Sequence, residues 1–68
     1  MKIRVQEQKR RELGISKAEL ARRANVQANV IGWIEAGRFR PYEVQLQRIA
    51  GVLGVDDPET LLDEIEVG

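Results

Sequence analysis

The side chains that could do chemistry in this chain are basic and amide groups near its middle. Lys17, Gln27 and Asn29 are followed by Arg38 and Arg40. Such groups donate hydrogen bonds to phosphate, and asparagine can also bind the edge of adenine. Cysteine and histidine are absent, which excludes disulfides and removes the commonest general base and metal ligands. We therefore expect binding of an anionic partner, no enzymatic activity, and no metal or cofactor.

The chain has no net charge, but its charges are segregated along the sequence. All 11 basic residues lie between Lys2 and Arg48 together with five acidic residues, so this part carries a charge of plus six. The last 20 residues contain six acids and no base. A basic surplus favours contact with phosphate, and an acidic end would avoid it. Composition leaves open the alternative of a solvated surface with chance segregation.

The length of 68 residues fits one domain over residues 1–68. No apolar run reaches the roughly 20 residues of a membrane span, and no signal-type segment is present. We therefore expect a cytoplasmic protein without membrane contact.

Hydrophobic periodicity and turn signals predict an all-α fold, a compact bundle of about five short helices. The first helix is expected over residues 3–13, although residues 2–6 also alternate like a short edge strand. A later amphipathic stripe ends at Gly54 and predicts the fourth helix. Asp57 followed by Pro58 predicts the start of an acidic C-terminal helix over about residues 57–66.

Two short helices separated by a tight turn are expected near residues 16–37. Ser16 and Glu19 form the S-x-x-E pattern of a capping box, which predicts the start of a helix that runs to residue 24. Asn25 readily adopts the left-handed conformation that a sharp turn requires. The next helix is expected over residues 27–36, before Gly37. Their lengths and connection are typical of a helix-turn-helix formed by helices 2 and 3.

The segment G-I-S-K-A-E-L-A-R-R-A-N-V-Q-A-N-V-I-G-W-I-E-A-G, residues 14–37, resembles the Cro and phage-repressor family of lambda-repressor-like, Xre-type regulators. The pattern P-x-x-x-x-L-x-x-I-A-x-x-L-G-V, residues 41–55, extends the resemblance. It implies a lambda-repressor-like fold that binds double-stranded DNA sequence-specifically and regulates transcription. It further implies a repressor of phage or bacterial origin whose recognition helix, residues 27–36, enters the major groove.

On this resemblance, base edges are read by the outward face of the recognition helix, which carries Ala28, Asn29, Gly32 and Trp33. Asn29 would bind adenine, and Ala28 or Trp33 would contact a thymine methyl group. This face is more apolar than in typical family members. Three uses of Trp33 therefore stay open: DNA contact, packing over neighbouring aliphatic side chains, and contact with a protein partner. Gly32 either permits close approach of a backbone or is a tolerated defect in the helix.

Phosphate contacts are expected from basic and amide side chains at the ends of the two helices, namely Lys17, Gln27, Arg38 and Arg40. Lys17 replaces the glutamine that is common in relatives. The resemblance also implies a structural pair, Arg10 with Glu35, between the first and third helices.

One recognition helix reads few base pairs, so we expect a homodimer on a near-palindromic operator, formed in solution or only on DNA. The candidate contact is the apolar edge of the C-terminal segment, with Val55, Leu61, Leu62 and Ile65. The alternative is that these side chains close the domain's own core. No small-molecule effector is expected.

A second class of function stays open. The same fold could serve as a protein-interaction module, antitoxin-like, excisionase-like or anti-repressor, with Trp33 and Phe39 as anchors. Non-specific binding to duplex DNA at low salt distinguishes the two classes, because only a basic groove-binding face produces it.

Overall fold

The computed structural model describes residues 1–38 and 40–67. This part of the chain forms four α-helices, one 3-10 helix and two short strands. In chain order they are β1 (Lys2–Arg4), α1 (Val5–Glu12), α2 (Lys17–Ala24), α3 (Ala28–Glu35), α4 (Glu43–Leu53), the 3-10 helix (Pro58–Leu62) and β2 (Glu64–Glu66). None of the described helices has the length and apolar character needed to cross a membrane.

The first residues form a strand, so the predicted helix over residues 3–13 was wrong at its start. Strand β1 pairs antiparallel with β2, with Ile3 opposite Ile65. In β1 the Ile3 side chain is buried while Lys2 is exposed, as expected when successive side chains point to opposite faces of a sheet. The strand-like alternation was therefore the correct signal for residues 2–4, whereas residues 5 and 6 already belong to α1.

The predicted acidic helix over residues 57–66 was also wrong. The segment forms the 3-10 helix and then enters β2. Its predicted start is present, because the Asp57 Oδ1 atom accepts a hydrogen bond of 3.1 Å from the backbone N–H of Glu59. Beyond residue 62 the chain instead forms backbone hydrogen bonds with β1, which a short isolated helix cannot match in stability. The fold is therefore mostly helical with a small sheet, and not an all-α bundle of five helices.

The segregated charges of the sequence meet in this sheet. Lys2 lies opposite Glu66, and Arg4 lies opposite Glu64. The N-terminal amine is 3.3 Å from the Glu66 Oε1 atom. Opposite charges across a strand pair favour the register. The acidic end of the chain therefore lies beside its basic beginning, and part of the charge imbalance of the sequence is cancelled locally.

The core is built from the inward faces of α2, α3 and α4, and the 3-10 helix contributes one side chain to it. The largest fully buried apolar side chains are Leu20, Ile31, Ile34, Ile49 and Leu61. Ala21 and Ala24 are also buried, and their small side chains allow other helices to pack close to α2. The buried side chains of α3 lie on one face, and its other face lies at the surface.

The C-terminal apolar residues contact this core to different extents. Leu61 is fully buried, and Val55 and Leu62 are partly buried against the same cluster. Ile65 is half-buried and lies opposite Ile3 in the sheet. Leu61 therefore closes the domain's own core, while a dimer contact through the half-buried Val55, Leu62 and Ile65 stays a prediction.

Candidate nucleic-acid interface

Local signals place α2 and α3 where the sequence predicted them. The Ser16 hydroxyl accepts a hydrogen bond of 3.0 Å from the backbone N–H of Glu19, and α2 starts at the next residue, Lys17. Asn25 ends α2 in the left-handed region, with φ 57° and ψ 46°. After the turn, α3 begins at Ala28 with Gln27 as its N-cap. The predicted helix pair is confirmed.

Only half of the predicted capping box forms. The Glu19 carboxylate accepts hydrogen bonds from the Nε atoms of Arg22 at 3.1 Å and Arg23 at 2.6 Å. Hydrogen bonds from Arg22 and Arg23 lower the pKa of Glu19 to about 2. The two guanidinium groups are thus compensated on their own helix, which fits the solvated surface role expected for exposed paired charges.

A partly buried ion pair holds α3 against α1. The Nε atom of Arg10 donates to Glu35 Oε2 at 2.7 Å, and its Nη2 atom donates to Oε1 at 3.1 Å. The remaining Nη1 group donates to the Ile15 carbonyl at 2.9 Å, and Gln6 Nε2 donates to Glu35 at 3.0 Å. The hydrogen bond to Glu35 raises the pKa of Arg10. The pair that the resemblance implied is present, and it fixes the orientation of α3.

The four predicted base-reading residues lie off the core. Ala28, Asn29 and Trp33 are exposed, and Gly32 is half-buried, whereas the opposite face of α3 is buried. A Cβ atom built on Gly32 would meet nothing within 4 Å. Packing inside the protomer therefore does not require glycine at this position.

Trp33 lies on the outward face of α3. It is 44% exposed and lines a cleft together with Val26 and Val30. Its use in DNA contact stays a prediction. The other proposed anchor, Phe39, lies outside the described residues.

Ion pairing divides the basic residues into two groups. Within the described residues six of the 11 basic side chains have a carboxylate within 4.0 Å: Lys9, Arg10, Arg11, Arg22, Arg23 and Arg40. Arg40, a predicted phosphate ligand, contacts Glu59. Lys17 and Arg38 are exposed at the start of α2 and after α3, and neither has such a partner in the described part of the chain. Both keep their charge available for phosphate.

Arg48 belongs to the same available group and was missed by the sequence analysis. It is exposed on α4, and no carboxylate of the described chain lies within 4.0 Å of it. A signal was present, because residues 44, 45, 51 and 52, three and four positions away on the helix, include no acid. The charge of Arg48 thus has no intrahelical compensation.

The helix pair and its surroundings match a known family. A family model described as a helix-turn-helix domain matches residues 7–62. The match runs from within α1 to the end of the 3-10 helix and leaves β1 and β2 outside. No curated protein and no solved structure matches the chain significantly.

Proposed function

Because the chain belongs to the helix-turn-helix domain family, we propose that it binds double-stranded DNA through α3 and regulates transcription. The observation that carries the proposal is the exposed face of α3, which presents Asn29 and Trp33 beside the uncompensated charges of Lys17 and Arg38. The Arg10–Glu35 pair holds this face rigidly. Lys17 lines a cleft with Gly32 and Ala36, so both cations lie towards the end of α3. An exposed helix with cations beside it suits the major groove.

Base reading is assigned to the outward side chains of α3. The diameter of an α-helix with its side chains, about 10–12 Å, matches the width of the major groove, about 12 Å. Asn29 can bind the N7 and N6 positions of adenine, and Ala28 or Trp33 can contact a thymine methyl group. Gly32, with open space in place of a side chain, lets the helix approach the base edges closely.

Phosphate binding is assigned to Lys17, Gln27 and Arg38. Gln27 makes no side-chain capping bond, so its amide can donate to a phosphate oxygen at the start of α3. Arg40 can also bind a phosphate, but only if its ion pair with Glu59 breaks. That pair is exposed, with 68% and 58% of the two side chains accessible, and exposed pairs contribute only about 0–1 kcal/mol.

The finer proposal follows the resemblance to Cro and phage repressors: a cytoplasmic repressor of phage or bacterial origin that binds a near-palindromic operator as a homodimer. Among the C-terminal apolar residues Leu61 is buried and the other three are half-buried. The exposed large apolar side chains of the described chain are few: Met1, Leu13, Trp33, Tyr42 and Val44. A stable dimer buries about 800 Å² per partner. We therefore propose that two copies associate on DNA and not in free solution.

Binding itself is tested by fluorescence anisotropy on a 30-base-pair duplex of random sequence, titrated with salt. Each lost phosphate contact should lower the slope of log affinity against log salt by about 0.9. Lys17→Gln should show this reduction. The matched control is Lys9→Gln, because Lys9 is paired with Glu12 at 3.7 Å. Absence of wild-type binding at low salt would overturn the proposal and favour the protein-interaction module.

Specificity and symmetry are tested by selecting bound sites from random DNA. The selected site should contain two half-sites about one helical turn apart. Asn29→Ala should lose about 1–3 kcal/mol on that site and little on random duplex. Sedimentation of free protein should show a monomer, and a footprint over both half-sites should show two copies. An asymmetric single half-site at saturation would contradict the dimer.

A further inference from the structure

A cleft of about 500 Å³ lies between the start of α3 and the exposed side of α4. Val26 and Val30 provide its apolar surface, Gln27 and Trp33 line the α3 side, and Gln45 and Arg48 line the α4 side. Gln27 and Trp33 also belong to the proposed DNA-binding face. The cleft is therefore a continuation of that face onto α4.

Arg48 supplies the positive charge of this cleft. The other lining residues are uncharged, and no carboxylate in the described ranges lies within 4.0 Å of the guanidinium. This differs from Arg22, Arg23 and Arg11, whose charges are compensated by acids on their own helices. An uncompensated guanidinium beside amide donors is chemically suited to a phosphate oxygen.

Gln45 is held in place beside it. Its Oε1 atom accepts a hydrogen bond of 3.0 Å from the backbone N–H of Tyr42 at the start of α4. With its oxygen engaged, the amide nitrogen of Gln45 remains as a donor. The cleft thus combines a cation and amide donors with an apolar wall, the combination that a phosphate and its adjoining sugar require.

We propose that Arg48 is a further phosphate-binding residue, which holds the backbone of one DNA strand in the α3–α4 cleft while α3 lies in the major groove. The inference rests on the proposed function and extends the contact surface from the helix pair to α4. Its role is positioning, because Arg48 acts on the backbone and reads no base. A contact from α4 would restrict rotation of α3 about its own axis in the groove.

The test compares Arg48→Gln with Arg48→Lys and Arg22→Gln on the random 30-base-pair duplex. Arg48→Gln should lower the slope of log affinity against log salt by about 0.9. Between 50 and 200 mM salt, the fold-loss of affinity should therefore be about 3.5 times smaller for Arg48→Gln than for wild type. Arg48→Lys keeps the charge and should keep the slope. Arg22→Gln removes an arginine that is compensated by Glu19 and should also keep it. Circular dichroism melts verify that each variant is folded.

A scan of single methylphosphonate substitutions, which neutralise one phosphate at a time, locates the contact on a selected site. Neutralising the phosphate that Arg48 contacts should weaken the binding of wild-type protein. The same substitution should not weaken the binding of Arg48→Gln any further. If wild-type protein binds but Arg48→Gln keeps both the salt slope and every methylphosphonate sensitivity, the role of Arg48 is overturned and the proposed function stands. If wild-type protein does not bind duplex DNA, both are overturned.

Discussion

Replacing Arg10 by methionine tests whether the ion pair with Glu35 positions α3. The two side chains are only 11% and 6% exposed, and Arg10 makes three hydrogen bonds, two to Glu35 and one to the Ile15 carbonyl. Arg10→Met would leave the Glu35 carboxylate buried, with Gln6 as its remaining hydrogen-bond donor among these contacts. Removing one partner of a buried pair typically costs about 3–5 kcal/mol.

That cost is large for this domain. At about 0.05–0.15 kcal/mol per residue, a chain of 68 residues has a free energy of unfolding of about 3–10 kcal/mol. If the free energy of unfolding of the wild-type protein lies at the low end of this range, the Arg10→Met variant should be largely unfolded. Urea denaturation followed by far-ultraviolet circular dichroism measures the loss. With a slope of about 1 kcal/mol per molar urea for a small domain, the midpoint should fall by about 3 M or more.

Two control variants distinguish loss of the buried pair from general effects of charge removal. Arg40→Gln removes an arginine that is 68% exposed and paired with Glu59, itself 58% exposed, and it should cost no more than about 1 kcal/mol. The double variant Arg10→Met/Glu35→Leu removes the stranded charge and should recover part of the loss, although Gln6 then lacks its acceptor. A loss in Arg10→Met no larger than in Arg40→Gln would refute the reasoning.

Three further predictions concern the helix pair. Ser16→Ala should cost about 1 kcal/mol by leaving the Glu19 amide uncapped, and an unchanged melting temperature would contradict the cap. Asn25 has φ 57°, so Asn25→Ala should cost about 1 kcal/mol whereas Asn25→Gly should not; equal melting temperatures for the two variants would contradict backbone strain. The pKa of Glu19 is lowered from 4.5 to about 2, so its contribution to stability is present above pH 4.5 and is lost as the pH falls towards 2. The difference in melting temperature between wild type and Glu19→Gln should close over that interval, and a constant difference would count against the interaction with Arg22 and Arg23.

The helix pair could be predicted from the sequence because short-range interactions determine it. A serine three residues before a glutamate, an asparagine at the turn and a glycine after α3 each act within one helical turn. The bounds of α2 and α3 followed from these signals. The outward face of α3 followed as well, because helical periodicity separates Asn29 and Trp33 from the buried Ile31.

Only the tertiary structure decided how the two ends of the chain fold. Residues 64–66 have a helix start signal shortly before them, but they pair with residues 2–4 at the opposite end of the sequence. Backbone hydrogen bonds between distant segments have no local signature, and they outweighed the weak preference of a short acidic helix. The same packing placed Leu61 in the core.

Tertiary contacts also decided the availability of the positive charges that no acid on the same helix compensates. The sequence shows that Arg40 and Arg48 carry the same charge, yet Glu59 reaches Arg40 from the 3-10 helix, while Arg48 lies beside uncharged residues in the α3–α4 cleft. Which cations remain free to bind phosphate depends on which carboxylates the fold brings within a few ångströms of them. Periodicity and composition do not contain these distances, because they arise only when helices from different parts of the chain pack together.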